Sequence, residues 1–299
     1  MPRAPLFIGL DAGGTKTAVL ARADGEARRF EGPSAQLLRD GVEGTASTLV
    51  ALVEEARRAF RGAPLGGVAV GLAGAGRVGA QEAVAAALRP RLDGAAVAVT
   101  HDADVAYRAA WGDASGAVAL VGTGSFLAAR TTAGRALRAG GWGGALGDDG
   151  GGAALGRAAL RAVLGALDGG PPTALVGHAA AEGLRTTDDV VGAVYVEKRP
   201  LAQFAPLLLA AAADGDWTAE SLLARETNAL AQQAGWLATR AGGDVTPRVA
   251  MSGGLATEEV YRTSLQAALE RHLPGWAVSH SEADPVEGAL ALARSLAEA

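Results

Sequence analysis

The sequence predicts an α/β fold built as two related lobes, and three observations carry that prediction. Short apolar runs of strand character alternate with segments of helical spacing. A unit of apolar strand, Gly/Thr turn and returning strand opens the chain at 6–21 and comes back at 117–130. The 299 residues are 49% hydrophobic and 20% charged, enough apolar material for a sizeable core.

The elements follow in order. Residues 6–10 are an apolar strand, ended by the turn Asp11-Ala12-Gly13-Gly14-Thr15, and 17–21 are a second strand. Asp24-Gly25 is a hairpin-type turn. Residues 44–61 have helical spacing, with Leu49, Leu52, Val53, Ala56 and Phe60 on one face. A buried strand at 67–72 closes on the small-residue turn Ala73-Gly74-Ala75-Gly76. A helix at 81–88 and a strand at 95–100 come next. The second lobe starts with a strand at 117–121, the turn Gly122-Thr123-Gly124-Ser125 and a strand at 126–130. Residues 140–152 are dense in glycine, 153–166 and 219–240 are helical, and 187–209 show no decisive period. A short strand at 248–251 ends in Ser252-Gly253-Gly254, and 285–299 form a helix with proline in its first turn.

Composition removes several function classes. A formal net charge of −5 is the wrong sign for a nucleic-acid binder. The absence of cysteine excludes disulfides, thiolate nucleophiles, iron–sulfur clusters and cysteine zinc sites. No uninterrupted apolar stretch reaches the roughly 18 residues of a membrane span, and the N-terminus lacks a signal-peptide pattern. A soluble, cytoplasmic protein is expected. Lys16 and Lys198 are the only lysines among 27 basic residues, which draws attention to Lys16 beside the first glycine turn.

Four clusters could carry chemistry. Asp11 ends a buried strand directly before glycines whose amides can approach a phosphate, a pairing that suits nucleotide phosphate with a divalent cation; an Asp capping a plain turn gives the same pattern. Spacing excludes two rival motifs: Thr15 stands where a Walker lysine is needed, and a strand rather than a helix follows the glycines. Thr100-His101-Asp102-Ala103-Asp104 sits at a strand end and helix start, where a carboxylate can serve as a general base or simply as an N-cap. Gly140 to Gly150 sets Trp142 among glycines with Asp148 and Asp149, suiting a polar ligand such as a sugar, or a flexible linker. Ser252-Gly253-Gly254 after a strand permits the approach of a planar ring.

Taken in this order, the motifs resemble the actin-like ATPase superfamily that includes sugar kinases. The closer resemblance is to its BadF/BadG/BcrA/BcrD-type family and, within it, to the N-acetylglucosamine kinases. Asp11-Ala12-Gly13-Gly14-Thr15-Lys16-Thr17 resembles the first phosphate motif, Val121-Gly122-Thr123-Gly124-Ser125 the second, and Ser252-Gly253-Gly254 the adenosine motif. Gly141-Trp142-Gly143 through Gly147-Asp148-Asp149-Gly150 resembles a Gly-Trp-Gly…Gly-Asp-Glu-Gly signature, with Asp149 in place of Glu.

The resemblance implies two ribonuclease-H-like lobes with a cleft between them: residues 1–113, completed by the helix at 286–299, and residues 114–285. It also implies ATP and Mg²⁺ as cofactors and γ-phosphate transfer to an amino-sugar hydroxyl, expected O6. Under it, Asp102 is the catalytic base and Asp11 the acid that faces the metal. Gly13, Gly14, Thr15, Lys16, Thr123, Gly124 and Ser125 hold phosphates, and Gly253 and Gly254 flank adenosine. Gln36, Gly74, Asp102, Trp142 and Asp148 face the sugar. A homodimer is a familial expectation.

Two departures lie around the sugar. Gln36 stands where the family usually has Asn, and Phe126 follows Ser125 where the animal N-acetylglucosamine kinase has Asn. N-acetylglucosamine is the expected sugar, with glucosamine and N-acetylmuramic acid as alternatives. Two other readings are a non-catalytic sugar binder and a coupling ATPase; the cluster-bearing form of the latter needs cysteines that this chain lacks.

Overall fold

In a computed structural model of the chain, which describes residues 3–76 and 78–298, the opening apolar run forms β1 (Leu6–Ala12). It pairs antiparallel with β2 (Lys16–Ala23). Asp24 and Gly25, at φ of 49° and 79°, turn the chain tightly into β3 (Glu26–Pro33). There follow α1 (Leu37–Ala59), kinked at Gly41, β4 (Leu65–Leu72), α2 (Ala80–Leu88), β5 (Ala96–His101) and α3 (Asp102–Trp111). The sheet order is β3-β2-β1-β4-β5, with β1, β4 and β5 parallel. β3 escapes prediction because it is an edge strand with a mostly exposed surface and little apolar signal.

A helix at Pro285–Glu298 joins this first unit, which comprises Met1–Ala114 and Glu282–Ala299. Glycines let its backbone lie against the sheet. A Cβ on Gly9 would stand 2.3 Å from the Leu290 nitrogen, and one on Gly67 would stand 2.5 Å from the Ala293 carbonyl oxygen. The expected end of this helix at Ala299 and the expected lobe start at Met1 lie outside the described residues.

The second unit, Ser115–Ser281, repeats the plan. β6 (Gly116–Val121), β7 (Ser125–Arg130) and β8 (Ala136–Gly140) form the antiparallel part. A helical stretch follows: α4 (Gly152–Leu167), α5 (Leu175–Ala181), α6 (Thr187–Val191), α7 (Ala205–Ala213) and α8 (Trp217–Ala241). β9 (Arg248–Ser252), α9 (Gly254–Thr257), α10 (Glu259–His272) and β10 (Ala277–His280) complete it. The order β8-β7-β6-β9-β10 matches β3-β2-β1-β4-β5 strand for strand, with β9 and β10 parallel to β6. The repeated strand–turn–strand unit in the sequence therefore marks two sheets of one topology. The aperiodic stretch 187–209 is broken into α6, a π-helical turn at Gly192–Val196, a 3-10 turn at Leu201–Phe204 and the start of α7.

Each unit has its own core. In the first, Ile8, Leu10, Leu49, Val70 and Leu88 are sealed between sheet and helices; in the second, Val121, Leu155, Phe204, Leu230 and Tyr261 are. No helix among the described residues is long and apolar enough to cross a membrane.

Candidate active site

In the first unit the candidate residues gather at the carboxyl ends of the parallel strands β1, β4 and β5, the usual ligand edge of such sheets. Asp11 lies one residue before the end of β1, in register with Ala18 and Gly71. Burial, reinforced by the charges of Asp102 and Asp284 and opposed by Arg29, pushes its carboxyl up to about 7. Asp11 thus feels the charge of a residue 91 positions further along the chain.

The turn after Asp11 is closed by Gly13 N–H donating to the Lys16 carbonyl at 3.0 Å. Its own carbonyls are occupied from one side. Ser34 Oγ donates to Gly13 O at 2.9 Å and to Gly14 O at 3.1 Å, and the Gln36 side-chain amide also donates to Gly14 O. These bonds set the peptide planes of the turn. Lys16 extends from it to an exposed ion pair with Glu31 at 2.6 Å, worth little in water. Gly74, at φ 78°, is exposed in the turn after β4, and a Cβ there would find nothing nearer than Leu38 Cγ at 3.8 Å.

Asp102 is the first residue of α3. The cap belongs to its neighbours: Asp104 accepts from the Thr100 hydroxyl and from His101 N–H at 3.3 Å, closing a capping box around His101. Asp102 is thereby released from the structural role that the sequence also allowed. Its Oδ1 accepts from Ala103 N–H at 2.9 Å and lies 2.5 Å from His101 Nδ1. A Cβ on Gly71 would meet Val105 Cγ2 at 2.2 Å, and one on Gly288 would meet the Val105 carbonyl at 2.0 Å. Glycine on both sides brings α3 close to the sheet and to the C-terminal helix.

In the second unit the turn after β6 is held by the start of α4. Gly152 N–H donates to Gly122 O at 2.8 Å, and Ala153 N–H donates to Thr123 O at 2.9 Å. The buried Ser125 hydroxyl donates to the Asp149 carbonyl at 2.7 Å, so this side chain ties the turn to the glycine loop. Gly253, at φ 101°, ends β9 so close to the turn that a Cβ would stand 2.4 Å from the Val121 carbonyl oxygen, whereas Gly254 faces open space. The end of β6, where the second glycine turn begins, and the Gly253-Gly254 pair are neighbours in this unit.

The glycine loop is a built structure, not a linker. Asp148, at φ 60°, accepts from Gly143 N–H at 3.0 Å, and Gln233 donates to Asp149 at 2.7 Å. The buried Tyr261 hydroxyl donates to Gly150 O at 2.8 Å, and Arg157 donates to Gly144 O at 2.8 Å. Trp142 is 62% exposed, with the Arg138 guanidinium 4.5 Å from its ring centre; Arg138 also lies 5.6 Å from the ring of Phe126. Sequence reasoning missed Arg138, Gln233 and Arg29, which carry no local signal. Asp284 had one, since an Asp before Pro285 is an N-cap signature, and its Oδ1 does accept from Val286 N–H at 3.1 Å.

A divalent cation fits this site on one observation. Asp11 is a half-buried carboxylate within charge range of two further acids, with Arg29 opposing them. Among the described residues no three His, Asp or Glu are clustered to hold a metal alone, so nucleotide phosphates and water would complete the shell, as is usual for Mg²⁺.

Two sheets of one topology, each with a glycine turn after its first strand, define the actin-like ATPase class of fold. The chain belongs to the BadF/BadG/BcrA/BcrD ATPase family, whose model matches residues 8–293. It is 27% identical over 311 aligned positions to an N-acetyl-D-glucosamine kinase of Dictyostelium discoideum, covering 96% of this chain and 97% of the relative. It is 29% identical over 161 residues to an N-acetylmuramic acid/N-acetylglucosamine kinase of Clostridium acetobutylicum, and spans about half of that relative's length, 53%. Among solved structures, a Chromobacterium violaceum protein assigned as an N-acetylglucosamine kinase superposes with a TM-score of 0.73 at 26% identity, covering 97% of this chain and 99% of that one. A glucokinase of the ROK family from Streptomyces griseus, solved with glucose and AMPPNP, shares the fold at a TM-score of 0.60 and 20% identity, covering 97% and 99%.

Proposed function

We propose that this protein is an ATP-dependent sugar kinase that transfers the γ-phosphate to a hydroxyl, expected O6, of an amino sugar, with N-acetylglucosamine as the first choice. The supporting observation is the pairing of Asp102 with Asp11. One carboxylate starts a helix with its capping duties taken by Asp104; the other ends a strand beside a glycine turn and senses the first one's charge. In this reading Asp102 accepts the proton of the attacking hydroxyl, and Asp11 faces Mg²⁺, which when bound neutralises phosphate charge. Gly13, Gly14, Thr15, Lys16, Thr123, Gly124 and Ser125 attend the phosphates, with Ser125 acting through the loop it holds. Gly253 and Gly254 leave room for adenosine. Gln36, Gly74, Trp142 and Asp148 shape the sugar side. Phosphoryl transfer asks the protein mainly for alignment and charge stabilisation, and both glycine turns are made rigid by hydrogen bonds. A cytoplasmic homodimer belongs to this reading.

The names of the relatives support amino sugars as the substrate class, N-acetylmuramic acid among them. A coupled ADP-release screen with ATP and Mg²⁺ across N-acetylglucosamine, N-acetylmuramic acid, glucosamine and neutral hexoses tests it. Turnover with an amino sugar is expected; release of ADP by none of them sinks it. Two observations favour a second reading, a non-catalytic sugar binder: Gln36 spends its amide on Gly14, and the Phe126 ring lies near Arg138. Tight sugar binding without ADP release would select that reading.

A further inference from the structure

We infer that Ser34 is a positioning residue for the nucleotide phosphates: its hydroxyl holds the first glycine turn so that the Gly14 and Thr15 amides face a phosphate together. The inference rests on the kinase reading above and adds a residue to it. One hydroxyl serves two successive carbonyls: Ser34 Oγ donates to Gly13 O at 2.9 Å and to Gly14 O at 3.1 Å. The Gln36 side-chain amide donates to Gly14 O as well. In an extended chain successive carbonyls point to opposite sides; here they turn to one side. The peptide bonds are trans, and across a trans peptide the N–H points opposite to the C=O. The peptide that carries Gly13 O also carries Gly14 N–H, and the one that carries Gly14 O carries Thr15 N–H. Both N–H groups therefore point away from Ser34, and successive amides aimed one way make an anion-binding concavity. Gly14 N–H donates to no atom among the described residues.

The strands put Ser34 in place. Pro33, the last residue of β3, is in register with Lys16, the first of β2, and its carbonyl accepts from Thr17 Oγ1 at 2.8 Å. On the other side Ala35 is fully buried. The serine is thus held beside the turn from both flanks. The Gly13–Gly14 peptide has glycine at each end, so little in its own chain fixes its plane. Among the described residues Ser34 is the donor that holds its carbonyl.

The test compares Ser34→Ala and Ser34→Thr with wild type, by calorimetric titration with ATP and Mg²⁺ and by kinetics with the accepted sugar. In Ser34→Ala, Kd and KM for ATP should rise about 10- to 100-fold, the loss of one hydrogen bond to a charged group, while the sugar KM stays within about twofold of wild type. Ser34→Thr keeps the hydroxyl and should bind ATP within about threefold of wild type. A merely structural serine would move both KM values together. Native ATP affinity in the Ala variant, an equal rise in both KM values, or failure of Thr to restore ATP binding would overturn the role. Should the wild type bind ATP yet phosphorylate no sugar, the kinase reading fails separately, and the titrations of the two variants still decide the part of Ser34. A wild type that binds no ATP sinks both.

Discussion

A Cβ on Gly151 would lie 2.5 Å from the carbonyl carbon of Gly124, so the amino-terminal side of α4 touches the second glycine turn backbone to backbone. No side chain can yield there. Gly151→Ala should displace the turn and the helix start, destabilising the protein by about 1–3 kcal/mol as overpacked sites do. Thermal unfolding and KM for ATP check it: both should worsen together, and a variant with native Tm and native KM would contradict the close approach.

Asp102→Asn is expected to lower kcat by about 10²–10⁴-fold, the usual contribution of a positioned base. ATP affinity, measured by calorimetry, should stay near wild type because Asn keeps size and helix start. Unchanged turnover would remove Asp102 from the mechanism.

Asp11 links the site to pH. Its carboxyl is raised from 3.8 to about 7, so the folded state binds the proton more tightly than the unfolded chain. Without nucleotide and metal, stability therefore falls as pH rises from 3.8 to about 7 and stays at the lower level above that. Partial solvent contact screens the effect, leaving about 1–2 kcal/mol. Asp11→Asn should accordingly raise the Tm of the ligand-free protein at pH 8, show no gain at pH 3.5, and abolish the further rise that wild type shows with Mg²⁺ and ATP. Equal melting of both proteins at pH 8 would refute the burial argument.

Trp142 offers an exposed indole with Arg138 stacked against it. Trp142→Ala should raise the sugar KM about tenfold, the equivalent of 1.4 kcal/mol, while Tm moves little because the ring is mostly outside the core. A large loss of Tm with unchanged KM would make the ring structural instead.

Much of this was legible in the sequence because it is local. The strand–turn–strand units at β1–β2 and β6–β7 announce themselves by apolar runs broken at glycine, and they do mark two equivalent sheets. The helices α1, α4 and α8 announce themselves by spacing. The edge strand β3, nearly all exposed, and the broken stretch 187–209 carry no such pattern, since neither presents a regular apolar face.

The sequence by itself determined the class of fold, the order of the glycine turns and the acids beside them, because strand burial and tight turns are decided by residues within a few positions of one another. Tertiary structure alone decided how those acids behave. Asp11 is raised by burial and by the charges of Asp102 and Asp284, Asp102 is spared its cap by Asp104, and the glycine loop is held by Gln233 and Tyr261. Electrostatics and hydrogen bonding depend on distance in space, and only the folded chain brings positions 11, 102 and 284, or 150 and 261, within that range.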